Sequence, residues 1–168
     1  FKSFLQRLNT TIQASDDSDY IQQYTGFHSI YKTLLEIPDC DTDKWINIED
    51  TPKDTISLAQ TICHQANNLA DRYPGIVIVI FIPTSWSLHK QFKHDGESFD
   101  LHNYIKAYAA QRSFTTQIIE EKTLYDPMAC EICWWLSLAL FVKAMRIPWA
   151  LASLDPDTAY AGIGYSVK

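Results

Sequence analysis

The stretch Ile76-Val77-Ile78-Val79-Ile80-Phe81-Ile82 decides the fold class of this chain. An unbroken run of Ile, Val and Phe predicts a strand that is buried on both faces, as in a parallel sheet. The apolar residues between Asp54 and Tyr73 recur at three- and four-residue intervals, which predicts a helix. Pro74-Gly75 ends this helix directly before the strand. A helix followed by a doubly buried strand is typical of α/β folds.

Helices and strands continue to alternate on both sides of this stretch. Asp100 is a good N-cap for a helix that follows the loop Pro83–Phe99, and Asp126-Pro127 is a common helix start. The alternation predicts a Rossmann-like α/β domain with a mainly parallel sheet flanked by helices. The further predicted elements are a strand at Trp45–Ile48, a helix over 101–112 that buries Leu101, Ile105, Tyr108 and Ala109, a strand at Phe114–Ile119, a helix from Asp126 to about Arg146, and a strand at Trp149–Ala152.

The two ends of the chain differ from its middle. Residues 1–43 are polar and show no regular pattern, and they are interpreted as a connector or as a peripheral addition to the main domain. Residues 44–150 are expected to form that main domain. The chain starts at Phe1 and stops within an apolar stretch around Val167, so we expect a fragment of a longer polypeptide.

The net charge of −6 argues against a broad nucleic-acid-binding surface. The acidic excess lies in residues 1–75, whereas residues 76–146 contain equal numbers of acidic and basic residues together with His89, His94 and His102. Binding of a polyanion therefore has to depend on a few placed residues rather than on a basic face.

The cysteines and the longest apolar run indicate buried structure. Cys130-Glu-Ile-Cys133 is a lone CxxC motif in an apolar run without obvious further zinc ligands nearby, so both thiols are interpreted as buried structural groups. Ile132–Val142 is shorter than the roughly 20 residues of a membrane span and is interpreted as a core helix. Nothing at the start resembles a signal peptide, which makes the cytoplasm the expected compartment.

A set of polar residues forms the candidate site. His102 and Lys106 are four residues apart and share one helix face beside the buried stripe. Gln117 lies on the following strand. Lys143 is the first charged residue after a long uncharged run, where an ammonium group must reach water or an anion. Each residue alone also fits an ordinary surface or helix-end position.

The ordered set His102, Lys106, Gln117 and Lys143 resembles the 5′-phosphate pocket of the MID (middle) domain of Argonaute proteins, which carries Tyr or His, Lys, Gln and Lys in this order on a Rossmann-like fold. Histidine at the first position resembles a subset of prokaryotic Argonautes. The resemblance implies that His102 contacts the first base of a guide strand. It implies that the lysines and Gln117 hold the guide phosphates, often with a divalent cation such as Mg²⁺.

The same resemblance extends to the neighbouring segments. It makes residues 44–150 a MID domain, and it implies that the loop residues Thr84, Ser85 and Trp86 discriminate the 5′-terminal base. The segments that carry it are 100–112, Thr115–Ile119 and Trp135–Lys143.

Residues 151–168 resemble the opening strand of the PIWI domain, which follows MID in Argonautes. Slicing Argonautes carry a metal-binding Asp there in a Gly-Ile-Asp-like sequence, whereas this chain has Gly162-Ile163-Gly164. Glycine has no carboxylate, so the resemblance implies a parent protein that binds without cutting. Gly164 also fits a close-packing position in an unrelated strand. The implied partners are a 5′-phosphorylated guide strand, RNA in preference to DNA, target DNA bound through guide pairing, and an associated effector protein, with no membrane.

Two other function classes remain open. One is a Rossmann-like nucleotide-binding or hydrolase domain, although the sequence contains no GxGxxG, P-loop or GxSxG motif. The other is an interaction module that contacts a partner protein through exposed aromatic residues such as Trp45 and Trp86.

Overall fold

The structure is a computed structural model, and it describes residues 1–14, 22–48 and 54–144. Short 3₁₀ helices at Arg7–Asn9, Thr84–His89 and Glu121–Tyr125 supplement the regular elements. Those elements are α1 (Lys2–Gln6), β1 (Ile12–Gln13), β2 (Gln23–Tyr24), α2 (Phe27–Tyr31), α3 (Thr55–Arg72), β3 (Val77–Ile82), β4 (Gln91–His94), β5 (Glu97–Asp100), α4 (Leu101–Gln111), β6 (Thr115–Glu120) and α5 (Ala129–Lys143).

The centre of the fold is a parallel pair of strands, β3 and β6. Their register runs without a break from Val77 opposite Thr115 to Ile82 opposite Glu120. The connection between them contains α4, as a crossover between parallel strands requires. Residues Val77–Ile82 of the apolar run therefore form the predicted parallel strand, whereas Ile76 before it is exposed. The chain has a mixed α/β fold with a parallel pair flanked by helices.

Helices cover both faces of this pair. On one face, α3 and α4 pack against Ile78 and Ile82. On the other face, α5 packs against Val77, Val79 and Ile119. Alternate residues of each strand thus enter different cores, which explains why the sequence of β3 is apolar at every position.

The N-terminal elements share a core with α5. Leu8 and Tyr24 are fully buried, and the Tyr24 hydroxyl donates to the Leu8 carbonyl oxygen at 2.7 Å. Cys130 and Cys133 are buried in the same cluster, where burial raises the pKa of the Cys133 thiol to about 11. The interpretation of both as buried thiols is confirmed.

The segment Pro83–Phe99 is more regular than a loop, so that prediction is wrong. It contains the 3₁₀ helix Thr84–His89, and β4 pairs with β5 as an antiparallel hairpin. Asp95 and Gly96 form its turn with φ values of 51° and 83°. An Asp-Gly pair with both φ angles positive is the preferred two-residue hairpin turn.

The predicted helix at Asp54–Tyr73 is α3, in which the Asp54 carboxylate accepts from the Ser57 amide. The predicted cap of α4 is also confirmed, because the Asp100 carboxylate accepts from the Asn103 amide. Helix α5 begins at Ala129 and not at the predicted Asp126. The backbone of Asp126 is extended, and its carboxylate accepts a hydrogen bond from the Met128 amide.

Trp45–Ile48 forms no strand among the described residues, contrary to the predicted alternation. The Trp45 indole donates to the Pro38 carbonyl, and Ile46 and Ile48 pack into separate clusters. The alternating sequence pattern therefore reflects the burial of these side chains and not pairing with a neighbouring strand.

The predictions for Trp149–Ala152 and for residues 151–168 lie outside the described residues. No helix in residues 1–14, 22–48 and 54–144 combines the length and hydropathy needed to cross a bilayer.

Candidate functional site

Two lysine ammonium groups meet at one backbone carbonyl. The Nζ atoms of Lys106 and Lys143 both donate to the Thr116 carbonyl oxygen, the latter at 3.0 Å. Lys143 also donates to the side-chain oxygen of Gln117, whose Nε2 donates to the Ile118 carbonyl at 3.0 Å. The structure thus brings together three of the residues predicted from the sequence. Lys106 and Lys143, which share this acceptor, form the lysine pair.

The fold explains this meeting. Helices α4 and α5 lie on opposite faces of the β3–β6 pair, so Lys106 and Lys143 approach β6 from opposite sides. Lys143 is the last residue of α5, and Lys106 lies in the middle of α4. Thr116 and Gln117 belong to the first half of β6, so the lysine pair lies beside the strand and not beyond its carboxyl end, where ligands of open α/β sheets usually bind.

The lysine pair concentrates positive charge in a half-buried place. None of the ion pairs within the described residues involves Lys106 or Lys143. The pKa of Lys143 is lowered to about 8, first by burial and then by the neighbouring charge of Lys106. The arrangement is therefore one that an anion would stabilise.

His102 lies apart from the lysine pair, one turn earlier on α4 and about 6 Å along the helix axis. Its side chain is exposed and lines a small cleft of about 50 Å³. This carboxyl-end cleft is lined by Ile82, Lys90, Asp100, Leu101, His102, Ile105, Ile118 and Glu120. The cleft reaches Ile118, next to Gln117, so it and the lysine pair are neighbours along β6.

An ion-pair cluster borders the carboxyl-end cleft, and sequence reasoning missed it. Glu120 accepts from Lys90 at 2.7 Å and from Lys122 at 3.1 Å. The hydrogen bond from Lys90, followed by the one from Lys122, holds the pKa of Glu120 below its usual value. Lys90 and Glu120 are separated by 30 residues, and no motif in the sequence links them.

The predicted base-discriminating loop is part of the 3₁₀ helix Thr84–His89. The Thr84 amide donates to Glu121 at 2.7 Å, which ties this helix to the segment after β6. Trp86 is only 4% exposed and packs in the core with Leu58 and Ile105. Its ring is therefore not accessible to a base or to a partner protein, and that part of the prediction is wrong. Trp45 is partly buried as well, against the expected exposure.

The side chains of the lysine pair do not fit a divalent cation. Two ammonium groups repel it, and the side-chain oxygen of Gln117 already accepts from Lys143. Within the described residues, no group of three His, Cys, Asp or Glu side chains is arranged to hold a metal. Mg²⁺ prefers oxygen ligands, above all carboxylates, and neither lysine nor Gln117 has a carboxylate.

Thr116 is the residue of the site that carried no sequence signal. It contributes a backbone carbonyl, which every residue possesses, so only the fold reveals its role. Gly162 and Gly164 lie outside the described residues. The chain matches no protein-family model, and no curated protein is significantly similar to it in sequence.

Proposed function

We propose that this chain anchors the 5′-phosphate of a guide strand, as the MID domain of a prokaryotic Argonaute does. The observation that carries the proposal is the lysine pair. Lys106 and Lys143 converge beside Gln117 without forming any ion pair among the described residues. These are the two lysines and the glutamine of the Argonaute-like pattern, and they come from three different elements.

The chemistry of a terminal phosphate suits this arrangement. A phosphate monoester carries close to two negative charges at neutral pH and offers three acceptor oxygens. Its oxygens would take over the hydrogen bonds that the Thr116 carbonyl and Gln117 now accept, since ammonium–phosphate bonds are stronger than bonds to neutral acceptors. Phosphate contacts position a strand without reading its sequence.

His102 and the carboxyl-end cleft extend the proposal to the first nucleotide. With a phosphate at the lysine pair, the adjacent base would lie toward His102, one turn along α4. The cleft of about 50 Å³ holds a few water molecules and not a base, so the base would stack over its exposed rim. Guide pairing would then select target DNA, as in other guided systems.

The proposal includes binding without cutting. It rests there on Gly162-Ile163-Gly164, where slicing Argonautes place a metal-binding Asp. A protein of this kind would act in the cytoplasm through an associated effector protein. RNA is the expected guide in preference to DNA.

The test is a comparison of 5′-phosphorylated and 5′-hydroxyl oligonucleotides of the same sequence, as RNA and as DNA, by fluorescence anisotropy. We expect the phosphorylated strand to bind at least about tenfold more tightly, because a charged hydrogen bond contributes about 1.5–3 kcal/mol. Equal affinity for the two strands would overturn the proposal.

Substitution of the lysines sharpens this test. We expect Lys106→Ala and Lys143→Ala to remove most of the preference for the 5′-phosphate and to flatten the salt dependence of binding. Lys44→Ala is the matched control, since Lys44 is exposed and lies over the Tyr73 ring. If all three variants lost affinity equally for both strands, the lysine pair would not be a phosphate site. Turnover of a nucleotide or ester would favour an enzyme instead.

A further inference from the structure

Lys143 occupies an unusual position among the charged groups of the site. It shares the Thr116 carbonyl with a second ammonium group, and its other acceptor is the neutral amide of Gln117. Neither acceptor carries a formal charge that would balance the two cations. Lys143 is also half-buried, so water compensates its charge only in part.

The groups around Lys143 come from three elements. From α4, Lys106 faces it directly, and His102 lies one turn earlier on the same helix. From β6, the neutral Thr116 and Gln117 face it, while Glu120 at the far end of the strand is engaged by Lys90 and Lys122. Within α5 the other ionisable groups are Glu131 and two cysteines, at least ten residues earlier, and β3 carries no ionisable residue.

We infer that Lys143 takes up a proton when a terminal phosphate binds above about pH 8, so that at alkaline pH the charge state of this one lysine favours a dianion over a singly charged phosphate. The inference rests on the proposed function and adds a specificity-determining residue to it. The proton comes from the solvent and is held on Nζ between the phosphate oxygens and the Gln117 side chain.

The direction of the effect follows from the neighbours of Lys143. Without a ligand, burial and Lys106 lower the pKa of Lys143 from 10.5 to about 8. A bound dianion opposes both effects and returns this pKa toward its ordinary value. Between pH 8 and 10.5, the complex therefore binds more protons than the free protein, so affinity falls as pH rises. One pKa unit corresponds to a tenfold change, and we expect affinity about tenfold lower at pH 9 than at pH 7.

The same linkage separates a terminal phosphate from the internal phosphates of a strand. A phosphodiester carries one charge, and it compensates the two ammonium groups less completely than a dianion. It should therefore draw a smaller fraction of a proton onto Lys143. A 5′-hydroxyl strand offers only diesters, and its binding should depend less on pH.

Calorimetric titration of the chain with a 5′-phosphorylated oligonucleotide, in two buffers of different ionisation enthalpy, measures this uptake. At pH 9 the phosphate is fully dianionic, since its second pKa is about 6, and it contributes no proton itself. We expect an uptake approaching one proton at pH 9 and close to none at pH 7. Lys143→Arg should bind without uptake, whereas Lys106→Arg should retain it. Uptake near zero at pH 9 in the unsubstituted chain would overturn the inference.

A second measurement does not need the oligonucleotide. The unfolded chain holds a proton on Lys143 up to about pH 10.5, whereas the folded chain releases it near pH 8. The free energy of unfolding, compared with that of Lys143→Met, should therefore rise between pH 8 and pH 10. A flat difference would overturn the inference whatever the oligonucleotide does. A rising difference without oligonucleotide binding at any pH would instead reject the proposed function, and with it the ligand-linked uptake.

Discussion

Tyr24 places a hydroxyl group in the centre of the core that α5 shares with the N-terminal elements. Its side chain is fully buried, and the hydroxyl donates to the Leu8 carbonyl at 2.7 Å. Burial raises the pKa of Tyr24, so the hydroxyl remains a donor throughout the ordinary pH range. At the residue scale, this bond joins the segment before β1 to the strand that packs on α5.

We expect Tyr24→Phe to lower the free energy of unfolding by about 1–3 kcal/mol, because the Leu8 carbonyl would remain buried without its donor. Urea unfolding measures the change. Tyr31→Phe is the matched control. The Tyr31 hydroxyl makes a longer contact, 3.3 Å to Ser137 Oγ, and Tyr31 is less buried than Tyr24. Equal losses in the two variants would contradict this account of Tyr24.

The residues of the candidate site differ in how far the sequence predicts them. The resemblance of the ordered set His102, Lys106, Gln117 and Lys143 to an Argonaute pocket predicted a shared site, and the fold brings the last three of these residues together. Trp86 was placed wrongly because a loop tryptophan is exposed or buried according to how α3 and α4 pack around it. Such packing is a property of the tertiary structure and leaves no local pattern.

At the scale of elements, α5 presents two adjacent tryptophans to different surroundings. The Trp134 ring packs edge-on against Tyr24 at 5.6 Å, and its indole donates to the Gln23 carbonyl at 2.9 Å. Trp135 is 66% exposed. Successive residues are about 100° apart around a helix, so only one of the two can face β2.

We expect Trp134→Ala to cost about 2–4 kcal/mol of unfolding free energy, because it removes a packed ring and a hydrogen bond. Trp135→Ala should change stability by less than about 1 kcal/mol, as exposed substitutions generally do. Thermal and urea unfolding of both variants check this. A larger loss in the Trp135 variant would mean that its ring is covered in the folded protein.

Local sequence signals predicted the long elements better than the short ones. The periodicity of α3 and the apolar run of β3 repeat over many residues, so each gives a strong pattern. The hairpin of β4 and β5 has only four residues in each strand, and its one clear signal is the Asp95-Gly96 turn. The apparent strand at Trp45–Ile48 shows the converse, since alternation reports burial whether or not a neighbouring strand is present.

At the scale of the whole molecule, the sequence of β3 predicts the parallel pair. No sequence pattern predicts that the N-terminal elements pack on α5. Residues 1–43 have a polar and uneven sequence, which suggested a connector. Yet α1, β2 and α2 supply Leu5, Tyr24 and Phe27 to the core around α5. These apolar residues are scattered through polar sequence, and only tertiary packing gathers them.

We therefore expect a chain shortened to residues 44–168 to lose cooperative unfolding, because Cys130, Cys133, Leu136 and Leu140 would lose the side chains that bury them. Urea unfolding followed by circular dichroism, together with the binding of a hydrophobic dye, measures this loss. Leu8→Ala in the chain of 168 residues is the comparison. Leu8 is fully buried, so this variant should lose about 2–5 kcal/mol and still unfold in one transition. If the shortened chain unfolded as sharply and as late as the longer one, residues 1–43 would be the connector that their composition suggests, and the α5 core would be complete without them.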